Sequence, residues 1–174
     1  MKKIIISAFT NDQPGIVSKI SGEVSSLNGN IIKSKMMKID NIFSVIMIVT
    51  IPVNNEKILI DQINQIPELY SLVKNIGTEL DNDHNYKRYS FILECIDNEG
   101  IIHHFTKYLN NEKINIEKMD TNTHNAPVTG ATLFKLDSIL LIPTKLDLNK
   151  IKNNLGQLSE QFNVNFSLLL LKSK

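Results

Sequence analysis

The chain has 174 residues, enough for one domain or two small ones, and its 42% hydrophobic and 21% charged residues are an ordinary balance for a water-soluble fold. A formal net charge of +1 sets up no global field toward nucleic acid, an anionic membrane or an acidic partner, and Arg88 is the only arginine, so the forked donor that reads phosphates and base edges is nearly missing. Cys95 stands alone, which excludes a disulfide framework and a zinc ligand set and fits a reducing compartment.

The opening MKKIIISAFTND carries too short an apolar run for a signal peptide, and no small-residue cleavage pattern follows. Its stretch KIIISAF predicts a strand. The turn TNDQPGIV follows, and then Ile16, Ile20, Val24 and Leu27 recur on one face of a predicted helix. Asn28-Gly29 is a stop signal. NIIKSKMMKI predicts a second strand, Asp40-Asn41 a tight turn, and FSVIMIVTIP a third strand, far too short to span a bilayer. A helix near 56–65 carries Leu59, Ile63 and Ile66, and a last strand lies around YSLVKNIGTEL. DNDHNYK, residues 81–87, is polar and short and predicts a linker.

The order then begins again. RYSFILECI predicts a strand, Ile101, Phe105 and Leu109 a helix, FKLDSILLIP a strand, and Leu148, Ile151, Leu155, Leu158 and Phe162 a second helix, before the closing VNFSLLLL. Gly15 falls on Gly100, Asp12 on Asp97 and Asn30-Ile31 on Asn115-Ile116 at one offset, whereas FSVIMIVTIP falls on FKLDSILLIP six residues later. The second copy therefore carries an insertion, read as a longer hairpin loop over TNTHNAPVTG, Thr121 to Gly130. Two βαββαβ copies predict an α+β chain of two ferredoxin-like units, residues 1–82 and 88–174, each an antiparallel sheet with helices on one face. In the third strand Phe43, Val45, Met47, Val49 and Ile51 share a face, yet Ile46 and Ile48 on the other are also apolar, and Phe166–Leu171 is apolar on both sides. The face away from the helices is thus expected to be covered by the sister unit or by another chain, which favours a homodimer.

The turn after the first strand has chemistry of its own. Pro14 suits a first helical turn, Asp12 can accept from free N–H groups there, and Gly15 lets the backbone pass close to a neighbour. A helix start can hold a carboxylate, and an adjacent aspartate can meet an ammonium group, so a free amino acid suits the pair. The same turn is also an ordinary way to start a helix after a strand.

With NDQPGIV in the first loop and NII opening the second strand, each unit resembles an ACT domain. The family consists of small regulatory modules that commonly bind amino acids between two such domains, using the first loop and the start of the second strand. The tandem arrangement resembles more closely the glycine cleavage system transcriptional repressor group. The stretch TNDQPGIVSKISGEVSSLNGNIIKSKMM supports this, as do Thr121, Thr123, Ala126, Pro127, Thr129, Gly130, Leu133 and Phe134 in the second hairpin. The resemblance implies ligand contacts from Asn11, Asp12, Gln13, Gly15, Ile16, Asn30 and Ile31, with Asp97, Asn98, Gly100, Asn115 and Ile116 as weaker counterparts. Gln13 and Lys35 stand where the family commonly has arginine, and the second turn, Asn98-Glu99-Gly100, has no proline, so the first site is favoured.

A cytoplasmic protein is the default expectation from the lone cysteine and the short apolar runs, and the resemblance implies a non-enzymatic regulator without cofactor. Its partners would be a small amino acid, glycine or one of similar size, and a protein such as a transcription factor, with no direct nucleic acid and no membrane. Two alternatives remain: an ACT interaction module without ligand, and an acylphosphatase-like enzyme, although neither first loop has the phosphate-holding arginine of that group. His103 and His104 are neighbours on a predicted helix and cannot chelate jointly, so no metal is expected. Lys33, Lys35 and Lys38 form a basic strand, read as a solvated face or as a contact for an acidic protein.

Overall fold

The computed structural model describes residues 1–77, 85–96, 99–125 and 130–172. The first unit runs β1 Lys2–Asn11, α1 Ile16–Ser26, β2 Asn30–Ile39, β3 Ile42–Ile51, a single 3-10 turn Val53–Asn55, α2 Glu56–Gln65 and β4 Tyr70–Asn75. The second runs β5 Tyr86–Ile96, α3 Ile101–Asn111, β6 Asn115–Asn125, β7 Thr132–Pro143, α4 Leu148–Phe162 and β8 Asn165–Leu170. The chain divides into two compact units, Met1–Asp81 and Asn82–Lys174.

Each unit is the ferredoxin-like α+β fold expected from the repeat, with sheet orders β2-β3-β1-β4 and β6-β7-β5-β8 and every pairing antiparallel. The two-residue period of the strands drives one face of each sheet under the helices. In the first unit Ile4, Ile6 and Ala8 of β1 oppose Val49, Met47 and Val45 of β3, and all six are buried. Ile16, Ile20 and Val24 of α1 and Leu59 and Ile63 of α2 close over them at helical spacing. Each such fully buried aliphatic side chain contributes about 1.5–3 kcal/mol relative to exposure. The second core repeats the plan with aromatics: Phe91 packs against Phe105 and Phe166 at centroid distances of 6.0 and 6.1 Å.

The duplication extends to irregularities. Register slips between Ile31 and Lys33 in β2 and between Ile116 and Lys118 in β6, so equivalent edge strands carry equivalent bulges. The Asp40-Asn41 turn joins Ile39 to Ile42 across two residues, with Asp40 left-handed at φ 51°. The expected long loop over Thr121–Gly130 is corrected: β6 and β7 stay paired out to Asn125 and Thr132, so Thr121 to Asn125 are strand. Cross-strand pairing with Leu136 and Phe134 holds this polar stretch extended, a nonlocal effect its turn-like composition hides. Ala126, Pro127 and Thr129 lie outside the described residues.

α1 ends as Asn28 takes the left-handed conformation, φ 56°, and the Gly29 amide donates to the Val24 carbonyl at 2.8 Å. Gly29 has no room for more: an added Cβ would lie 2.7 Å from the Val24 oxygen and 3.1 Å from Ile51 Cδ1. Gly22, inside the same helix, has nothing within 4 Å of an added Cβ. Gly29→Ala is therefore expected to lower stability by about 1–3 kcal/mol, and Gly22→Ala to raise it by up to about 1 kcal/mol. Urea midpoints of the two variants against the parent check both signs.

Candidate functional site

The first loop is tied down by its own unit. Asp12 donates its backbone N–H to the Asn41 carbonyl at 2.7 Å, and its Oδ2 accepts from Lys38 Nζ at 2.5 Å. Both partners belong to the β2–β3 hairpin. Asp12 is thus not the helix cap expected from the sequence: α1 has no side-chain cap, whereas Asp147 caps α4 by accepting from the Asn149 and Lys150 amides. A cation 26 residues away outcompetes the local amides for the carboxylate. Pro14 also falls before the helix rather than in its first turn, since Gly15 is the N-cap residue. Gly15 sits at φ 90° with nothing within 4 Å of an added Cβ, so backbone conformation, and not close approach, is what calls for glycine. The result is a helix start whose first N–H groups have no side-chain acceptor, beside an ion-paired aspartate. Asn11 ends β1 and lines a cleft of about 300 Å³ with Phe9, Glu68 and Tyr70, Gln13 is half-buried in the loop, and Ile16 is a buried core residue.

The other half of the assigned set is elsewhere. Asn30 pairs with Thr50 and Ile31 with Val49 near the end of β3, while Asn11 pairs with Ile42 at its beginning. Eight strand positions separate the two, about 27 Å at the rise of an extended strand. The first loop and the start of β2 therefore occupy opposite ends of one sheet. Asn30 and Ile31 instead line a hollow of about 420 Å³ with Ser18, Ser21, Ser25 and Gly29. Sequence reasoning passed over those helix residues; the signal was the run of small side chains three or four apart on α1.

The second unit copies this plan. Gly100 is left-handed at φ 82° and heads α3 without a side-chain cap. Asn115 and Ile116 pair with Leu141 and Leu140, whereas Ile96, which leads to the loop, pairs with Leu133 at the other end of β7. Asp97 and Asn98 lie outside the described residues. His104 packs against Phe162 with the rings tilted and their centroids 4.5 Å apart, and meets His103 edge-on at 5.7 Å, an aromatic packing arrangement. Among the described residues no three His, Cys, Asp or Glu side chains are grouped to hold a metal ion, and no helix is long and apolar enough to cross a membrane.

Residues 2–68 match the family model of the ACT domain, so the first unit is an ACT domain. The second unit repeats its topology. Among solved structures, an unknown protein from Galdieria sulphuraria superposes with a TM-score of 0.85 at 23% identity over 98% of this chain and 99% of that one. A protein described as a "putative glycine cleavage system transcriptional repressor" superposes with a TM-score of 0.72 at 19% identity, over 99% of this chain and 98% of that one. Among curated proteins no sequence matches.

Because the left-handed region disfavours any Cβ, Gly15→Ala and Gly100→Ala should each cost about 1–2 kcal/mol, although an added Cβ meets open space at Gly15 and only an ordinary contact with His104, at 3.7 Å, at Gly100. The exposed Asp12–Lys38 pair should show a coupling of about 0.2–1 kcal/mol in a double-mutant cycle of the two alanine variants. Both quantities are read from chemical denaturation.

Proposed function

We propose that this tandem ACT protein is a cytoplasmic, non-enzymatic regulator that binds a small amino acid, glycine or one of similar size, and thereby controls its contact with a protein partner such as a transcription factor. The observation that carries the reading is the first loop of the family-matched unit: an uncapped helix start for a ligand carboxylate, next to Asp12 for a ligand ammonium. An entering ammonium group would compete with Lys38 for Asp12. Asn30 and Ile31 lie at the far end of the same sheet, so this reading takes the loop from one unit and the edge-strand opening from another, of one chain or of two in a homodimer. Ligand binding would then favour one arrangement of units, and that arrangement would set affinity for the partner. The full-length fold likeness to the described repressor supports a regulatory role. No direct contact with nucleic acid belongs to this reading.

A second reading, an ACT interaction module without ligand, draws on the Asp12–Lys38 ion pair, which already occupies the carboxylate. Thermal unfolding against the twenty amino acids at millimolar concentration separates the two. A ligand at one hundred times its Kd should add about 2.7 kcal/mol of stability. A selective rise in Tm, abolished in Asp12→Ala, is the expected result. A Tm unmoved by any amino acid would leave the module reading in its place.

A further inference from the structure

The outer faces of the two sheets differ where the fold does not require it. In the first unit, strand register lays the outward side chains in rows: Lys74, Ile5, Ile48, Lys33; then Leu72, Ser7, Ile46, Lys35; then Tyr70, Phe9, Ser44, Met37; and last Asn11, Ile42, Ile39. Lys3 flanks the first row beside Thr50. Basic side chains gather toward one end of the face and apolar ones toward the other. Phe9 is 50%, Ile46 47%, Tyr70 67% and Leu72 68% exposed, and Phe9 and Tyr70 stack with centroids 5.1 Å apart. No Asp or Glu stands in these rows, and among the described residues none of Lys3, Lys33, Lys35 and Lys74 is ion-paired.

The second unit is the internal control. At the positions equivalent to Phe9, Ile46, Lys35 and Tyr70 it carries Glu94, Asp137, Asp120 and Asn165. Two of its acids are paired locally, Asp137 with Lys135 at 3.2 Å and Asp120 with Lys118, and Glu94 lies 4.0 Å from His124 Nε2. The same fold therefore accepts polar and acidic residues at these four outer-face positions. The apolar, acid-free face of the first unit is a property of that unit's sequence, and exposed apolar area of this kind marks an interaction surface.

We infer that this face docks an acidic, amphipathic segment of a partner protein, its apolar side chains on Phe9, Met37, Ile46, Tyr70 and Leu72 and its carboxylates on Lys33, Lys35 and Lys74. The inference rests on the proposed existence of a protein partner and is independent of the amino-acid ligand. A second copy of the same face is a poor occupant. Placed with matching ends together, two copies oppose eight lysines with no acid between them; placed the other way, lysines are buried against apolar residues. An anionic membrane fits less well, because side chains on a flat sheet stand level with the flanking lysines and cannot enter the headgroup boundary as an amphipathic helix does.

The test uses the full chain and two fluorescent helical peptides with one shared leucine stripe. One carries glutamates toward one end; the other carries lysines at those positions. The expected result is that the glutamate peptide alone binds, more weakly at high salt, and moves the amide resonances of β1, β3 and β4. Lys33→Glu with Lys35→Glu should weaken it roughly tenfold. Phe9→Glu with Ile46→Asp should abolish binding, and both variants should fold: Glu94 and Asp137 stand at the equivalents of Phe9 and Ile46, and Lys33 and Lys35 are exposed. Four results would overturn the inference: equal binding of the lysine peptide, no binding of either peptide at millimolar concentration, binding only to phosphatidylglycerol vesicles, or self-association broken by Phe9→Glu. The amino-acid response of Tm is measured on the same variants, so a lost response and a lost docking face are told apart.

Discussion

The strand pair at the centre of each sheet, β1 with β3 and β5 with β7, is the constraint from which the rest of each unit follows. An antiparallel strand set between two parallel ones obliges both crossovers to be helices on one face. A slip of one residue would exchange Ile4, Ile6 and Ala8 for Lys3, Ile5 and Ser7 beneath those helices, placing a lysine in the core. The register is therefore held by burial on one side alone. That leaves the other side free to change, which explains how two copies with the same bulges and the same left-handed glycines present such different outer faces.

The same pair fixes where chemistry can happen. The strand-to-helix loop lies at one end of the sheet and the opening of the edge strand at the other, and no side chain spans that distance. The loop is held in place by the hairpin at its own end, through the Asn41 carbonyl and Lys38. An exposed ion pair of this type is worth little as stability. Its consequence is positional: it holds the Asp12 carboxylate beside the hairpin instead of over the helix start, so that the amide donors and the carboxylate remain separate groups.

The repeat, the element order and the core were legible because each rests on periodicity within a short window. Ile16, Ile20 and Val24, or Ile101, Phe105 and Leu109, announce their buried faces by spacing alone. Two of the misreadings concern partners distant in sequence. Asp12 looks like a cap until Lys38 is brought to it, and Thr121 to Asn125 look like a loop until β7 pairs with them. The sequence offers close approach as the reason for Gly15; its backbone angle shows that the left-handed conformation is the reason. The two assigned groups of ligand contacts were grouped by family resemblance, and strand direction, which local patterns do not encode, is what separates them.

That separation has an energetic consequence for the proposed regulator. Each unit already has its own closed core, so a ligand is not needed to complete either fold. A ligand held by two units adds free energy only to the arrangement in which the loop of one meets the edge-strand opening of another, and it can shift the population no further than its differential affinity for that arrangement. In the proposed regulator, binding and unit pairing would be one equilibrium, and the occupancy of a small metabolite would be converted into a geometry that a protein partner can recognise. A ligand held entirely within one unit would lack this property, because it would stabilise that unit equally in every arrangement.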